Sequence, residues 1–158
     1  MQSIIYKGPG KFAIEDRPKP IIKKADDVMI KVLGVCICGT DINIFATPQK
    51  HPSRPGIIFG HEFCGQVVEV GEAVTSLKPG DKVIVDPHGP CGYCDACRAG
   101  LPEMCKNLYL DEPGLEGQAN AMGVFKDGGL TSYTLVPEKF AYKIAADTPA
   151  ELMALAEP

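Results

Sequence analysis

Four cysteines fall within fifteen residues: Cys91-Gly92-Tyr93-Cys94-Asp95-Ala96-Cys97, followed after seven intervening residues by Cys105. Thiolates are soft ligands, and four this close can surround one tetrahedral zinc with no contribution from elsewhere in the chain. Such a site is closed. It has no coordination position for a substrate, so it braces structure, and chemistry must be sought elsewhere. Two other uses of these cysteines stand beside this one. An iron–sulfur cluster also takes thiolates, although one bacterial ferredoxin run has three residues before its fourth cysteine and proline after it. Here Lys106 follows Cys105. Disulfides are the remaining use, but Cys91, Cys94 and Cys97 are too tightly spaced for two easy bridges, and no secretory segment accompanies them.

A second set is scattered. Cys38, His61 and Glu157 offer sulfur, imidazole nitrogen and carboxylate oxygen. Three protein ligands with one open position is the pattern of a catalytic zinc. Spacing alone does not bring these residues together, and a histidine in Gly60-His61-Glu62 equally suits a cap or a turn. The neighbours add chemistry. Asp41, three residues after Cys38, can accept the second ring proton of His61 and so fix its tautomer. Thr40 carries a hydroxyl able to pass on a proton. Glu62 is either an exchangeable ligand or an outer salt-bridge partner.

The elements that must position these residues read mainly as short strands. Ile4-Ile5-Tyr6 is a first strand, Gly8-Pro9-Gly10 turns it, and Lys11 to Glu15 returns before Pro18 and Pro20 break the pairing. Val28, Ile30 and Val32 alternate with Met29, Leu33 and Val35, giving a mostly buried strand from Asp27 to Ile37 that runs into Cys38-Gly39-Thr40-Asp41. Thr40 or Asp41 is expected to cap a short helix over Ile42 to Phe45. A proline-bearing loop spans Thr47 to Gly56. Phe63 to Gly71 is β-branched and glycine-bounded, a strand kinked or bulged at Gly65. A turn over Lys78 to Asp81 leads to a strand over Lys82 to Val85. Asp95 to Gly100 makes one helical turn within the cysteine lobe. Asp111 to Lys126 reads as an irregular excursion, Leu130 to Val136 and Phe140 to Ile144 as strands, and Pro149 to Ala156 as a helix with proline in its first turn. Six or seven strands with little helix need closure or a second layer to protect their edges.

Composition narrows the partners. The chain has 158 residues, 17 of them glycine and 14 proline, enough for one turn-rich domain. A net charge of -4, without a basic stripe, argues against nucleic acid. No apolar run approaches membrane-spanning length. The N-terminus lacks the order of a signal peptide, and 7 cysteines without one suit a reducing, cytoplasmic setting.

Taken together, these motifs resemble the catalytic domain of the zinc-containing medium-chain alcohol and polyol dehydrogenases. Gly60-His61-Glu62 with Gly65, Gly71 and Val74 is similar to that family's zinc signature. Cys38-Gly39-Thr40-Asp41 is similar to its first ligand segment, and Cys91, Cys94, Cys97 and Cys105 to its structural-zinc lobe. Gly128-Gly129, Tyr133 and Val136-Pro137 resemble its later strand region. Ala156-Glu157-Pro158 resembles the third-ligand segment of sorbitol, butanediol and threonine dehydrogenases. The resemblance covers essentially the whole chain.

The resemblance implies a mainly β fold, a GroES-like β-barrel with short helices and a four-cysteine zinc lobe over residues 88–110. It implies two zincs, one structural and one catalytic. The catalytic zinc would be held by Cys38, His61 and Glu157 with Glu62 nearby, and Thr40 would begin a proton relay. Many members carry a histidine two residues after the aspartate of the first segment. Asn43 stands there in this chain and cannot serve as the same titrating group. The implied reaction is hydride exchange between a secondary alcohol, diol or polyol (or the corresponding ketone) and NAD or NADP. The implied partners are that small substrate and, as is common among relatives, a second copy of the chain.

The 158 residues contain no Gly-x-Gly-x-x-Gly and no βαβ setting for one. Residues 1–158 are therefore expected to be the catalytic-domain portion alone, without a nucleotide-binding domain and inactive in isolation. A non-enzymatic structural-zinc scaffold or protein-interaction module is the competing reading, and it predicts metal only at the four-cysteine lobe.

Overall fold

A computed structural model describes residues 1–106 and 121–156. The fold is mainly β. Strands β1 (Gln2–Gly8) and β2 (Lys11–Asp16) form an antiparallel hairpin. A five-stranded antiparallel sheet runs in the order β6-β3-β4-β5-β7, with β3 at Asp27–Cys36, β4 at Glu62–Val70, β5 at Lys82–Val85, β6 at Tyr133–Pro137 and β7 at Ala141–Lys143. Bridges from Ser3 to Thr131 and from Ile5 to Ile58 tie the hairpin to the rest. Among the described residues there are three short α-helices: α1 (Gly39–Phe45), α2 (Asp95–Arg98) and α3 (Ala150–Met153). No helix among the described residues is long and apolar enough to cross a membrane.

Strand alternation sorts the two faces of the sheet. Val28, Ile30, Phe63, Val67, Val83, Val85 and Val136 share one buried face and form the main core. Cys64 and Ile84 point the other way, where Met153 and Ala154 of the α3 segment cover them. A separate cluster of Tyr6, Ile44, Ile57, Phe59, Val124 and Phe125 seats α1. Phe45 meets Phe59 edge-on at 4.9 Å, and the Tyr6 hydroxyl donates to the Ile44 carbonyl at 3.4 Å. Burial of Ile44 alone contributes about 2 kcal/mol to holding that helix.

Several boundaries differ from the sequence reading. Helix α1 begins earlier, at Gly39, and its cap is Cys38 rather than Thr40 or Asp41. The kink expected at Gly65 resolves as a close approach. A Cβ at Gly65 would lie 2.3 Å from the Lys31 carbonyl oxygen, and the extra residue there, Leu33, belongs to the partner strand β3. The strand expected from Leu130 begins at Tyr133, because residues before it pair with β1 instead. The last helix is shorter than Pro149 to Ala156, although turn-type hydrogen bonds continue to Ala156. Most of the excursion from Asp111, and Glu157 itself, lie outside the described residues.

Candidate metal centres

The four-cysteine lobe is built locally. Cys94 precedes α2, Cys97 lies within it, and Cys105 follows a single 3-10 turn over Pro102–Met104. The four sulfurs all lie within 4.8 Å of one another. Cys91 to Cys97 is 3.9 Å, Cys94 to Cys97 3.5 Å and Cys94 to Cys105 3.9 Å. Tetrahedral zinc with bonds of about 2.3 Å puts its sulfurs about 3.8 Å apart. A disulfide needs about 2.05 Å, and all 7 cysteines are free thiols. A multi-iron cluster needs more room between its ligands than these sulfurs leave. Desolvation pushes the Cys97 thiol up to about 12, whereas the Cys97 N–H holds Cys94 below its ordinary value. The donor set fits one zinc ion.

The second centre is assembled from two strands. In the β3–β4 register Cys36 faces Glu62, so the residues just beyond each strand end, Cys38 and His61, meet. Cys38 Sγ lies 3.1 Å from His61 Nε2, and His61 Nε2 lies 3.8 Å from Glu62 Oε1. The candidate ligand atoms of Cys38, His61 and Glu62 all fall within 4.8 Å of one another. Asp41 organises the surroundings. Its Oδ1 sits 3.3 Å from His61 Nδ1, and its Oδ2 accepts from the Cys38 N–H at 2.8 Å. The Thr40 N–H donates to Cys38 Sγ at 3.2 Å.

His61, Glu62 and Asp41 are all buried, and Glu62 Oε2 has no hydrogen-bond partner among the described residues. A buried carboxylate oxygen left in that state is costly unless a cation reaches it. Sulfur, imidazole and carboxylate donors around one point fit zinc. The described chain ends at Ala156, one residue short of Glu157.

Sequence reading missed one contact of this region. Cys36 Sγ donates to the Ala154 carbonyl at 3.0 Å, across 118 residues. By parity Cys36 shares the face of Val28 and Ile30, but the extra residue Leu33 reverses the alternation and turns Cys36 toward α3, a contact that no sequence pattern names. Cys64 is fully buried against α3 and lies outside both metal groups.

Residues 24–146 match the profile of the alcohol dehydrogenase GroES-like domain. The chain is 39% identical, over 100% of its length and 43% of the relative's, to L-threonine 3-dehydrogenase of Thermococcus kodakarensis. Galactitol-1-phosphate dehydrogenase of Escherichia coli superposes with a TM-score of 0.84 at 28% identity, covering 98% of this chain and 41% of that one. An alcohol dehydrogenase of E. coli CFT073 solved with NADH superposes with a TM-score of 0.78 at 33% identity, covering 98% and 41%. The chain belongs to the GroES-like domain family of the zinc-type medium-chain alcohol dehydrogenases. It spans about two-fifths of the length of these relatives.

Proposed function

We propose that residues 1–158 are the zinc-binding catalytic portion of an NAD- or NADP-dependent dehydrogenase that interconverts a secondary alcohol or polyol and its ketone. The convergence of Cys38, His61 and Glu62 beside Asp41 carries this reading. Cys38, His61 and Glu157 would hold the catalytic zinc, with Glu62 as a neighbouring, exchangeable carboxylate. The structural zinc would sit at Cys91, Cys94, Cys97 and Cys105, in a lobe over residues 88–110. When bound, the catalytic zinc supplies a Lewis acid that polarises the substrate oxygen.

The chain's own residues do the rest. Asp41 Oδ1, 3.3 Å from His61 Nδ1, favours the tautomer with the proton on Nδ1, which leaves an unprotonated Nε2 beside Cys38 Sγ to ligate the metal. The Thr40 hydroxyl takes the substrate hydroxyl proton and passes it toward solvent. The polyol preference follows from Glu157 and from the galactitol phosphate relative. The free thiols suit a cytoplasmic setting.

Hydride transfer needs a second surface to position the nicotinamide, so the 158-residue chain alone is proposed to bind metal without turning over. The test is metal content and anomalous scattering at the zinc edge. Two zincs are expected, and Cys38→Ala should lose one of them. A single zinc confined to the cysteine lobe would favour a structural-zinc scaffold. Cofactor reduction by the isolated chain above the Cys38→Ala background would overturn the inactivity.

A further inference from the structure

We propose that Cys36 and Cys64 are positioning residues for the second metal centre, two thiols that clasp the α3 segment by its carbonyls and so deliver the chain toward Glu157. The inference rests on the reading of Glu157 as a ligand. Both thiols rise from the strands that lead to the other candidate ligands. Cys36 ends β3 two residues before Cys38, and Cys64 lies two residues after Glu62 on β4.

On the opposite side they reach both ends of one short helix. Cys64 Sγ lies 3.7 Å from both the Ala150 carbonyl and the Gly34 carbonyl of β3, and Cys36 Sγ donates to the Ala154 carbonyl at 3.0 Å. Between them Gly34 provides the seat. A Cβ there would meet Ala154 Cβ at 3.1 Å and Cys64 Sγ at 3.3 Å. A larger residue would press on both, and Ala154 or Cys64 would have to give by a few tenths of an ångström.

The geometry couples distant parts of the chain. From Ala154 the chain reaches Glu157 in three residues, a span of at most about 11 Å. Fixing the Ala154 carbonyl to the end of β3 therefore confines where a residue-157 carboxylate can act, relative to the Cys38 sulfur two residues beyond that strand end. Neither Cys36 nor Cys64 belongs to a metal group. A thiol is a weak donor that a serine hydroxyl can replace and a methyl group cannot.

The test is cobalt(II) titration of the purified chain, followed by its visible bands. A four-sulfur site and a mixed sulfur, nitrogen and oxygen site give different spectra. For Cys36→Ala, affinity at the mixed site should fall about tenfold, the lower end expected for lost outer support of a ligand. Cys36→Ser should stay within about threefold of wild type, since it retains a donor. The four-sulfur site should titrate alike in all variants, and Glu157→Gln should weaken the mixed site. Equal binding by wild type and Cys36→Ala, with Glu157→Gln weakened, overturns the clasp alone. So does a serine variant as weak as the alanine one. A wild-type chain that takes up cobalt only at the four-sulfur site, or a Glu157→Gln chain that binds as wild type does, overturns the ligand assignment beneath it.

Discussion

The two oxygens of Asp41 face different neighbours: Oδ2 accepts from the Cys38 N–H at 2.8 Å, and Oδ1 lies 3.3 Å from His61 Nδ1. Asp41→Ala should therefore cost twice. Zinc affinity at the Cys38 centre should fall roughly 10- to 100-fold, measured by competition with a chromophoric chelator, while the cysteine lobe keeps its metal. Loss of the capping box should also destabilise α1 by about 1 kcal/mol. At the lobe, the raised Cys97 thiol keeps its proton at neutral pH when metal is absent. Zinc binding must displace that proton, so uptake should release protons and affinity should rise with pH. Calorimetry in buffers of different ionisation enthalpy reads the number released. The four-cysteine cluster was legible in the sequence because its spacing is local. Cys38 and His61 were legible through motif resemblance, since their contact depends on a strand register that no local pattern states. Asp41 was anticipated from its place three residues after Cys38. The Cys36 to Ala154 bond was invisible, because strand and helix meet there across 118 residues.

The β3–β4 pair is the element on which the second centre stands, and its tightest point is Gly65. Gly65→Ala would set a methyl group 2.3 Å from both the Lys31 carbonyl oxygen and Ile30 Cγ2. The expected loss is about 1–3 kcal/mol, as for other overpacked cores, seen as a lower urea midpoint with unchanged slope. The turn before β7 carries a pH dependence. Glu138 accepts from Ser76 N at 2.6 Å, Ser76 Oγ at 2.7 Å and Thr75 N at 2.8 Å, and these donors, Ser76's backbone N–H foremost, hold its carboxyl below the ordinary range. A lowered folded value stabilises above the unfolded pKa and is lost as pH falls through the folded one. Acid denaturation of Glu138→Gln should lack that component, whereas wild type shows it. Among the elements, the strands were readable because alternation survives in β3, β4 and β5. The start of α1 was not, because cysteine is an unusual cap and Cys38 caps only through its sulfur and the reciprocal Asp41 bond. The late start of β6 was hidden for a different reason. Leu130 and Thr131 have strand-like side chains, but their backbone partners lie on β1 and around Phe59.

Across the molecule the two metal centres differ in how they depend on the fold. Among the described residues the lobe meets the body where Lys139 Nζ donates to the Pro90 carbonyl at 2.9 Å and where Gly89 lies close against the Phe140 ring. Chelation should therefore erase hydrogen-exchange protection around Cys91 to Cys105 and leave the amides of β3 and β4 protected. The opposite result, loss of protection throughout, would show that the sheet depends on the lobe. The body was readable as one turn-rich β domain from composition and alternation, but its closure by the β1–β2 hairpin rests on isolated bridges that leave no sequence pattern. The same contrast in ligand spacing sets an order of events during refolding. Closing the short cysteine loops costs little chain entropy, whereas Cys38 and His61 meet only after β3 has found β4. Refolding from denaturant in the presence of cobalt should show the four-sulfur absorption first. The mixed-ligand bands should follow at the rate of sheet formation, so that metal taken up at Cys38 and His61 reports on the pairing of β3 with β4.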